Sequence, residues 1–125
     1  MELAGGEKKT GDDIAERFLE FAVRVIKLVN ALPNTIVGRH IAGQLIGSGT
    51  SCGSNYEEAR GAESRADFVH KLGIVLKEIK ESRFWLKVIY HASIMKPEQV
   101  ESLIAECEEL AAIIAKSIIT AKANK

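Results

Sequence analysis

Three carboxylates in the middle of this chain stand at spacings that could hold a metal ion. Glu78 and Glu81 are one helical turn apart, and Asp67 projects on the same flank of a helix. A di-metal centre in a helical bundle needs inward carboxylates from several helices, usually with Glu-x-x-His on two of them. The nearest related string here is Asp67-Phe-Val-His70. We therefore expect neither a metal site nor a cofactor at these positions.

Structural ion pairing explains the same acids better. We expect Glu78 or Glu81 to pair with a nearby base, because a charge that is partly removed from water needs an opposite charge beside it. The candidate bases are Arg60, Lys71 and Arg83.

Asn55 and Glu58 form a second polar pair, also one turn apart. Their amide and carboxylate groups could bridge two helices, since a partly buried pair needs partners that offset its desolvation. The predicted structural polar network consists of Asn55, Glu58, Glu78 and Glu81. A ligand pocket at Asn55 and Glu58 is the alternative.

Arg65 and His70 have the Arg-x4-His form seen in helical HEPN ribonucleases. In such a site the imidazole could move the proton of a ribose 2′-hydroxyl while the guanidinium stabilises charge on the phosphate. Residues five apart lie about 140° apart around a helix, however, and a single such pair arises easily by chance. We expect an arginine at a helix start and a surface histidine. A metal-independent ribonuclease that uses Arg65 and His70 is the alternative function.

A basic stripe is the strongest candidate binding surface. Lys77, Lys80, Arg83 and Lys87 fall within about 120° of one side of the third predicted helix. Side chains of this kind can contact nucleic-acid phosphates. The competing interpretation is an ordinary solvated face.

Composition limits the possible classes of protein. The 125 residues are enough for one domain with a core, and 46% hydrophobic with 27% charged residues is typical of a folded chain. Seventeen basic residues balance seventeen acidic ones, so the whole chain has no net field toward nucleic acid or an anionic membrane. Any such binding needs a local patch. The first residues lack the apolar core of a signal peptide, and no stretch is apolar enough to span a membrane, so we expect a cytoplasmic protein without a membrane partner.

Cys52 and Cys107 are the only cysteines and lie in different predicted helices. Two isolated cysteines fit neither a disulfide scaffold nor a zinc site. We expect both to be buried free thiols.

Apolar periodicity and turn signals predict four helices after a flexible tail of residues 1–11, in a single domain of residues 12–125. The first starts at Asp12 or Asp13 and ends at Leu32-Pro33-Asn34. The second runs from a cap at Asn34 or Thr35 to about Ala62. The third runs from the capping sequence Ser64-Arg-Ala-Asp67 to about Ser93, and the fourth begins at Pro97-Glu98. Four long helices with short connections predict an all-α, antiparallel up-and-down four-helix bundle.

Glycines mark the second helix. Gly43 and Gly47, and then Gly49 and Gly53, place small residues one turn apart, so a neighbouring helix could approach closely at both pairs. A phosphate-binding loop would need a preceding strand and a lysine directly before serine or threonine, and the sequence has neither.

The third helix has a wider apolar arc than the core of one bundle normally covers. Phe84 and Val88 fall outside its main stripe, and Ile74 and Trp85 flank it. We expect Trp85 to be at least partly buried and part of the arc to meet another subunit.

The segment Thr50-Ser-Cys-Gly-Ser-Asn55-Tyr-Glu-Glu58-Ala-Arg, with the polar and aromatic positions after it, resembles the four-helix-bundle proteins encoded in intervening sequences of bacterial 23S ribosomal RNA genes. The resemblance covers about residues 12 to 122. The matching positions are Asn55, Glu58, Ser64, Phe68, Glu78, Glu81, Trp85 and Leu86.

This resemblance implies a homopentamer of four-helix protomers with no established enzymatic activity, acting through RNA or protein contacts. Related bundle proteins that accompany reverse transcriptases in diversity-generating retroelements are much more basic than this chain. The sequence as a whole thus predicts a non-enzymatic, oligomeric binding module for RNA or an RNA-associated protein. It names neither the partner nor the biological process.

Overall fold

Four α-helices make up the protein in a computed structural model that describes the backbone of residues 2–124 and the side chains of residues 11–124. The helices are α1 (Glu2–Asn30), α2 (Ile36–Arg60), α3 (Arg65–His91) and α4 (Pro97–Ala123), and the described residues contain no strand. The all-α prediction is confirmed. The predicted start of the first helix at Asp12 or Asp13 was wrong, because α1 begins at Glu2, in a segment whose glycines and mixed charges lack the apolar periodicity that predicts a helix. The flexibility predicted for residues 1–11 stays a prediction.

Local capping fixes where α2, α3 and α4 begin. Thr35 Oγ1 accepts a hydrogen bond from the Gly38 amide at 3.0 Å, and Ser64 Oγ accepts one from the Asp67 amide at 3.1 Å. The amide of Lys96 donates to Gln99 Oε1 at 3.2 Å, with Pro97 in the first helical position. The three predicted helix starts are therefore confirmed.

The end of α3 uses a left-handed residue. Ser93, with φ 55°, is the only non-glycine residue with positive φ in the described part of the chain. The Ser93 amide donates to Tyr90 O at 3.2 Å and the Ile94 amide donates to Ile89 O at 3.1 Å. These two bonds form a Schellman motif, which reverses the chain direction toward α4.

Each helix contributes one apolar face to a common core. The fully buried large side chains are Phe18, Phe21, Val25, Leu45, Leu72, Val75, Ile79, Leu86, Ile89, Val100, Leu110 and Ile114. On α1, α3 and α4 they are separated by three or four residues or by sums of these steps, which is the pattern that predicted the helices.

The helices pack in chain order, with α2 against both α1 and α3 and α3 against α4, whereas α1 and α4 approach each other much less. Contacting positions run in opposite directions for α1 with α2 and for α1 with α4, and one side-chain pair joins α2 to α3 and another joins α3 to α4. The pairs are Val25 with Gly49, Phe18 with Gly53, Arg17 with Glu106, Arg24 with Ser102, Ser48 with Ser82, and Arg83 with Glu108. This arrangement fits an antiparallel up-and-down bundle.

The glycines of α2 divide into two groups. A Cβ atom on Gly49 would lie 2.9 Å from Val25 Cγ1, and one on Gly53 would lie 3.2 Å from Phe18 Cβ, so the predicted close approach is confirmed there. Around Gly43 and Gly47 a Cβ atom would meet nothing within 4 Å. The prediction that a neighbouring helix packs closely against Gly43 and Gly47 was therefore wrong for the single protomer, because these two glycines point away from the other helices.

A small polar contact is enclosed between α2 and α3. Ser82 Oγ donates to Ser48 Oγ at 2.9 Å, and the two serines are 0% and 3% exposed. Ser48 Oγ has a longer bond, 3.5 Å, to Leu45 O. Burying hydroxyl groups is tolerated because each has a partner.

The two cysteines are buried free thiols, as predicted. Burial raises the pKa of Cys52 and of Cys107 to about 12, with desolvation as the main cause in both. No Cα atom of α2 lies within 8 Å of one in α4. A disulfide between them would therefore require the backbone to move.

Candidate nucleic-acid interface

The basic stripe predicted on α3 is on the surface. Lys77, Lys80 and Lys87 are exposed and Arg83 is partly exposed, so their charges can reach a ligand. The core residues of α3 and this stripe occupy different sides of the helix, with the stripe on the flank next to α4. The structure thus brings the four predicted side chains onto one face, although it does not test whether they bind RNA.

Acidic residues of α4 lie beside one end of the stripe. Arg83 Nη1 is 4.0 Å from Glu108 Oε2, and the two side chains are 39% and 54% exposed. A shallow cavity of about 240 Å³ is lined by Lys87 and His91 on one side and by Glu101 and Glu108 on the other. The positive field of Arg83 and Lys87 is therefore partly cancelled.

The other end of the stripe has different neighbours. In an antiparallel arrangement of α3 and α4, Lys80, one turn before Arg83, lies level with Ala111 and Ala112, about three residues after Glu108. All five acids of α4 lie between Glu98 and Glu109, and none occurs from residue 110 to the end of the chain. In that arrangement Lys77 and Lys80 are level with the part of α4 that carries no acid.

The residues of the predicted polar network are not joined in the described part of the chain. Asn55 Nδ2 donates to Ser51 O at 2.8 Å within its own helix, and Glu58 is exposed. Glu78 and Glu81 are partly exposed, and no hydrogen bond or ion pair is formed between any two of these four residues. Their role in fixing helix register stays a prediction.

The bases that we expected beside Glu78 and Glu81 have other partners. Arg60 bonds Asp12 at 2.6 Å, and this hydrogen bond is the largest cause of its raised pKa. Lys71 pairs with Asp67 at 3.4 Å within α3, and Arg83 pairs with Glu108. The expected partners were wrong for all three bases. Arg60 and Arg83 pair across helices, which depends on a tertiary register that one helix's sequence does not contain. Lys71 instead pairs with Asp67 one turn away on its own helix.

Arg65 and His70 are both exposed on the first turns of α3. Their separation of about 140° around the helix directs them to different sides. This placement agrees with an arginine at a helix start and a surface histidine, and it adds no further group to a nuclease site.

Two features escaped sequence reasoning. Arg17 forms a forked ion pair with Glu106 at 2.6 Å and Glu109 at 3.1 Å, and the hydrogen bond to Glu106 is the largest cause of the raised pKa of Arg17. No local spacing links residues of α1 and α4, so nothing in the sequence predicts this pair. The other feature is a polar atom of Trp85.

Trp85 is partly buried, as predicted, yet its Nε1 atom is fully buried and has no hydrogen-bond partner among the described residues. The indole ring lies 5.6 Å from His40 and 5.0 Å from Phe84, edge to face in both cases. Aromatic contacts favour this geometry, but the indole N–H gains nothing from them. The sequence predicted that Trp85 flanks the apolar stripe of the third helix, but not that its indole N–H would lack a hydrogen-bond partner.

An open depression of about 540 Å³ lies between the α1–α2 and α3–α4 connections and is lined by Pro33, Met95 and Pro97. Among the residues described, no group of three or more His, Cys, Asp and Glu side chains is placed to hold a metal ion. None of the helices within residues 2–124 has the length and apolar character needed to cross a bilayer.

Comparisons with known proteins now identify the family. A search among curated proteins gives no match. A crystal structure of a protein with unknown function from the S23 ribosomal protein family of Bacteroides thetaiotaomicron VPI-5482 is 35% identical, with a TM-score of 0.78. The match covers 86% of this chain and 96% of the other. The sequence model for the 23S rRNA-intervening sequence protein matches residues 12–116, so the chain belongs to the 23S rRNA-intervening sequence protein family.

Proposed function

We propose that this protein is a cytoplasmic, non-enzymatic four-helix-bundle module, antiparallel and up-and-down, that assembles with itself and binds RNA or an RNA-associated protein. The observation that carries the RNA part is the row of exposed lysines Lys77, Lys80 and Lys87 with Arg83 on one flank of α3. The chain has no net charge, so binding depends on this local row.

Apolar side chains exposed on opposite sides of the bundle support self-assembly. Phe84 on α3 is 57% exposed, and Leu19, Val23 and Ile26 on α1 are 59%, 42% and 41% exposed. The three side chains of α1 are three and four residues apart and so form one contiguous apolar surface, which is characteristic of protein contacts. We propose a homopentamer, the number that the family resemblance implies.

Light scattering after size exclusion tests the assembly. We expect a mass of several protomers that persists on dilution, and about five times the protomer mass of 13.7 kDa in the pentamer. Phe84→Glu should lower that mass, whereas Glu16→Gln on an exposed polar site should not. A protomer mass at every concentration would exclude self-assembly.

RNA binding is tested with two variants of equal charge change. One replaces Lys77, Lys80 and Lys87 by Gln, and the control replaces Lys27, Lys96 and Lys122, which are also exposed. If the row binds phosphates, the first variant loses roughly tenfold or more in affinity at low salt and its salt dependence becomes shallower, because fewer counterions are released. Equal losses in both variants would show that only net charge matters. Absence of binding by the wild type would favour a protein partner.

The absence of catalysis is tested separately. Purified wild-type protein should leave a generic RNA uncut in the presence of a chelator. Cleavage that disappears in His70→Ala would instead support the ribonuclease that uses Arg65 and His70.

A further inference from the structure

We infer that the basic row of α3 is the docking surface for the acidic outer side of α1 in a second copy of this chain. Self-assembly and RNA binding then compete for the same lysines. The inference rests on the proposed self-assembly and identifies the two surfaces that meet in it. Its basis is that the two sides have opposite charges, expose apolar side chains and lie at about the same height in the bundle.

Phe84 lies within the basic row. It follows Lys80 by four residues and precedes Lys87 by three, so the three side chains project from the same side of α3. The ring of Phe84 is 57% exposed. A protein surface that covers this ring also covers the lysines beside it. The apolar contact and the charged contacts on α3 therefore belong to one surface.

The three lysines of the row are available to a partner. None of them is within ion-pair distance of an acid among the described side chains. Glu81 follows Lys77 by one turn and is only partly exposed. Glu101 and Glu108 lie beside Lys87. The four bases of the row outnumber these three acids, so the surface keeps an excess of positive charge.

The outer side of α1 has the opposite charge. The exposed charged side chains between residues 12 and 27 are four acids and one base, namely Asp12, Asp13, Glu16, Glu20 and Lys27. Glu16 and Glu20 each precede an exposed apolar side chain of this helix by three residues, so acids and apolar groups share one side. In the part of the chain that the structure describes, neither of these two glutamates forms an ion pair. The surface thus complements the lysines and Phe84 of α3.

Contacts through α2 fix the relative height of the two surfaces. Val25 of α1 lies against Gly49 of α2. Ser48, the residue before that glycine, forms a hydrogen bond with Ser82 of α3. Val25 and Ser82 are therefore at about the same height. In an antiparallel up-and-down arrangement α1 and α3 also run in the same direction.

This match in height favours a head-to-tail contact between two copies. A second copy rotated about an axis parallel to the bundle keeps its helices at the same height. Counting five residues back from the common level puts Glu20 level with Lys77, so an acid meets a base. Counting one residue forward puts Ile26 within one residue of the level of Phe84, so apolar side chains meet. Because α1 and α3 do not contact each other within the bundle, each copy offers both surfaces at once.

A docked α1 and a bound RNA exclude each other at the row. A lysine ammonium donates hydrogen bonds to carboxylate and phosphate oxygens alike, so Glu16 and Glu20 take the positions that phosphates would occupy. Assembly should therefore weaken RNA binding. By the same linkage, excess RNA should lower the mass of the assembly.

Charge reversal tests the contact. Light scattering after size exclusion gives the mass of each variant over a dilution series at low salt, and circular dichroism checks its fold. Glu16→Lys with Glu20→Lys should dissociate at a concentration about tenfold higher or more, because like charges then face each other. Lys77→Glu with Lys80→Glu should have the same effect.

A control and a rescue accompany these variants. The control, Glu63→Lys with Glu98→Lys, reverses two exposed acids outside both surfaces and should dissociate like the wild type. The chain that carries all four reversals should assemble again, because its acids and bases have exchanged sides. An equal mixture of the two double variants should also assemble, since their altered sides have opposite charges. Recovery excludes misfolding as the cause of the loss.

RNA binding tests the competition. Val23→Glu places a charge among the exposed apolar side chains of α1 and should dissociate the assembly. Although it adds a negative charge, it should bind a fluorescent RNA of about 20 nucleotides several-fold more tightly than Thr120→Glu does. Thr120→Glu is an equal charge change at an exposed site of α4. Anisotropy of the two variants is compared at a protein concentration at which the wild type is assembled.

The outcomes separate the inference from the proposed function. An unchanged mass in both double variants, or no recovery in the chain with four reversals, overturns the inference and leaves the proposed self-assembly standing. RNA affinity of Val23→Glu no tighter than that of Thr120→Glu overturns the competition. A wild type with the protomer mass at every concentration overturns both the inference and the proposed self-assembly.

Discussion

Two pairs of glycines on α2 have the same spacing and opposite surroundings. Gly49 and Gly53 lie against Val25 and Phe18, whereas Gly43 and Gly47 face open space. Both pairs make α2 smooth, because neither projects a side chain. The comparison teaches that the spacing of small residues identifies a smooth helix surface, while the side chains of other helices decide whether that surface is covered.

The hydroxyl groups near the open glycines strengthen this contrast. Thr50 Oγ1 donates to Ile46 O and Ser51 Oγ donates to Gly47 O, both at 2.7 Å. These side chains satisfy their polar groups on their own helix and present little hydrogen-bonding capacity outward. The outer side of α2 is therefore both smooth and weakly polar.

The largest expected effect tests the covered side. Phe18 is 0% exposed, packs against Gly53 and has its ring 5.2 Å from that of Tyr56. Phe18→Ala should destabilise the fold by about 3 to 5 kcal/mol, because it leaves a cavity that the helices fill only in part. The matched control, Phe84→Ala, removes a ring that is 57% exposed and should cost about 1 kcal/mol or less. Urea unfolding of the two variants measures the difference in their free energies of unfolding. Similar losses of stability would contradict the burial of Phe18 in the contact between α1 and α2.

The loss of stability at alkaline pH tests the same buried side of α2, through the thiol of Cys52. An unfolded thiol has a pKa of about 8.5, whereas the buried thiols of Cys52 and Cys107 titrate at about 12. Because the folded pKa is raised, the stabilisation is complete below about pH 8.5 and is lost as the pH rises toward 12, by up to about 1.4 kcal/mol per pH unit for each thiol.

The control for this prediction is the variant with Cys52→Ala and Cys107→Ala. Its unfolding free energy should fall less steeply between roughly pH 8.5 and 10.5 than that of the wild type. Parallel pH profiles would show that the alkaline loss comes from other groups.

The hydrogen bond between Ser48 and Ser82, on the side of α2 that packs against α3, should have a smaller effect on stability. Ser82→Ala leaves Ser48 with only its 3.5 Å bond to Leu45 O, so we expect a loss of about 1 to 2 kcal/mol. Removing both hydroxyls with Ser48→Ala as well should recover part of that loss, since no unpaired group remains. Additive losses in thermal or urea unfolding would mean that the two hydroxyls do not depend on each other.

The smallest and sharpest test uses the glycines themselves. Gly47→Ala should stabilise the fold by about 0.5 to 1 kcal/mol, because alanine favours a helix and nothing obstructs its methyl group. Gly49→Ala gains the same preference but forces the stiff, fully buried Val25 to move, for a net loss of about 1 kcal/mol. Changes of opposite sign in the free energy of unfolding of these two variants, measured in matched urea titrations, would support the distinction between open and covered glycines. A loss at Gly47 together with a change in oligomer mass would show that another protomer covers the open side.

Local chemistry explains how far the sequence could predict this protein. The breaks at Pro33 and Pro97 and the caps at Thr35 and Ser64 act within a few residues, so the starts of α2, α3 and α4 were readable. The pairing of Arg17 with Glu106 spans 89 residues, and no single-helix pattern encodes it.

The candidate site shows the same division. That Lys77, Lys80, Arg83 and Lys87 share one flank follows from helical periodicity, and the structure has all four on α3 with side chains exposed or partly exposed. That Glu108 lies beside Arg83 depends on the register of α3 against α4 and could not be seen in either helix alone. Sequence reasoning found the row and missed what partly neutralises it.

The chain reversal at Ser93 has a kinetic consequence. Every bond that shapes the α3–α4 connection, from Ile89 to Gln99, joins residues close in the chain, so this helical hairpin can form quickly and early. Docking of α1 against α4 must bring together residues 89 positions apart and pays a larger loop-closure cost first. We expect φ-values to be high for substitutions at the α3–α4 hairpin and low for those at Arg17 and Glu106, and the reverse order would refute this sequence of events.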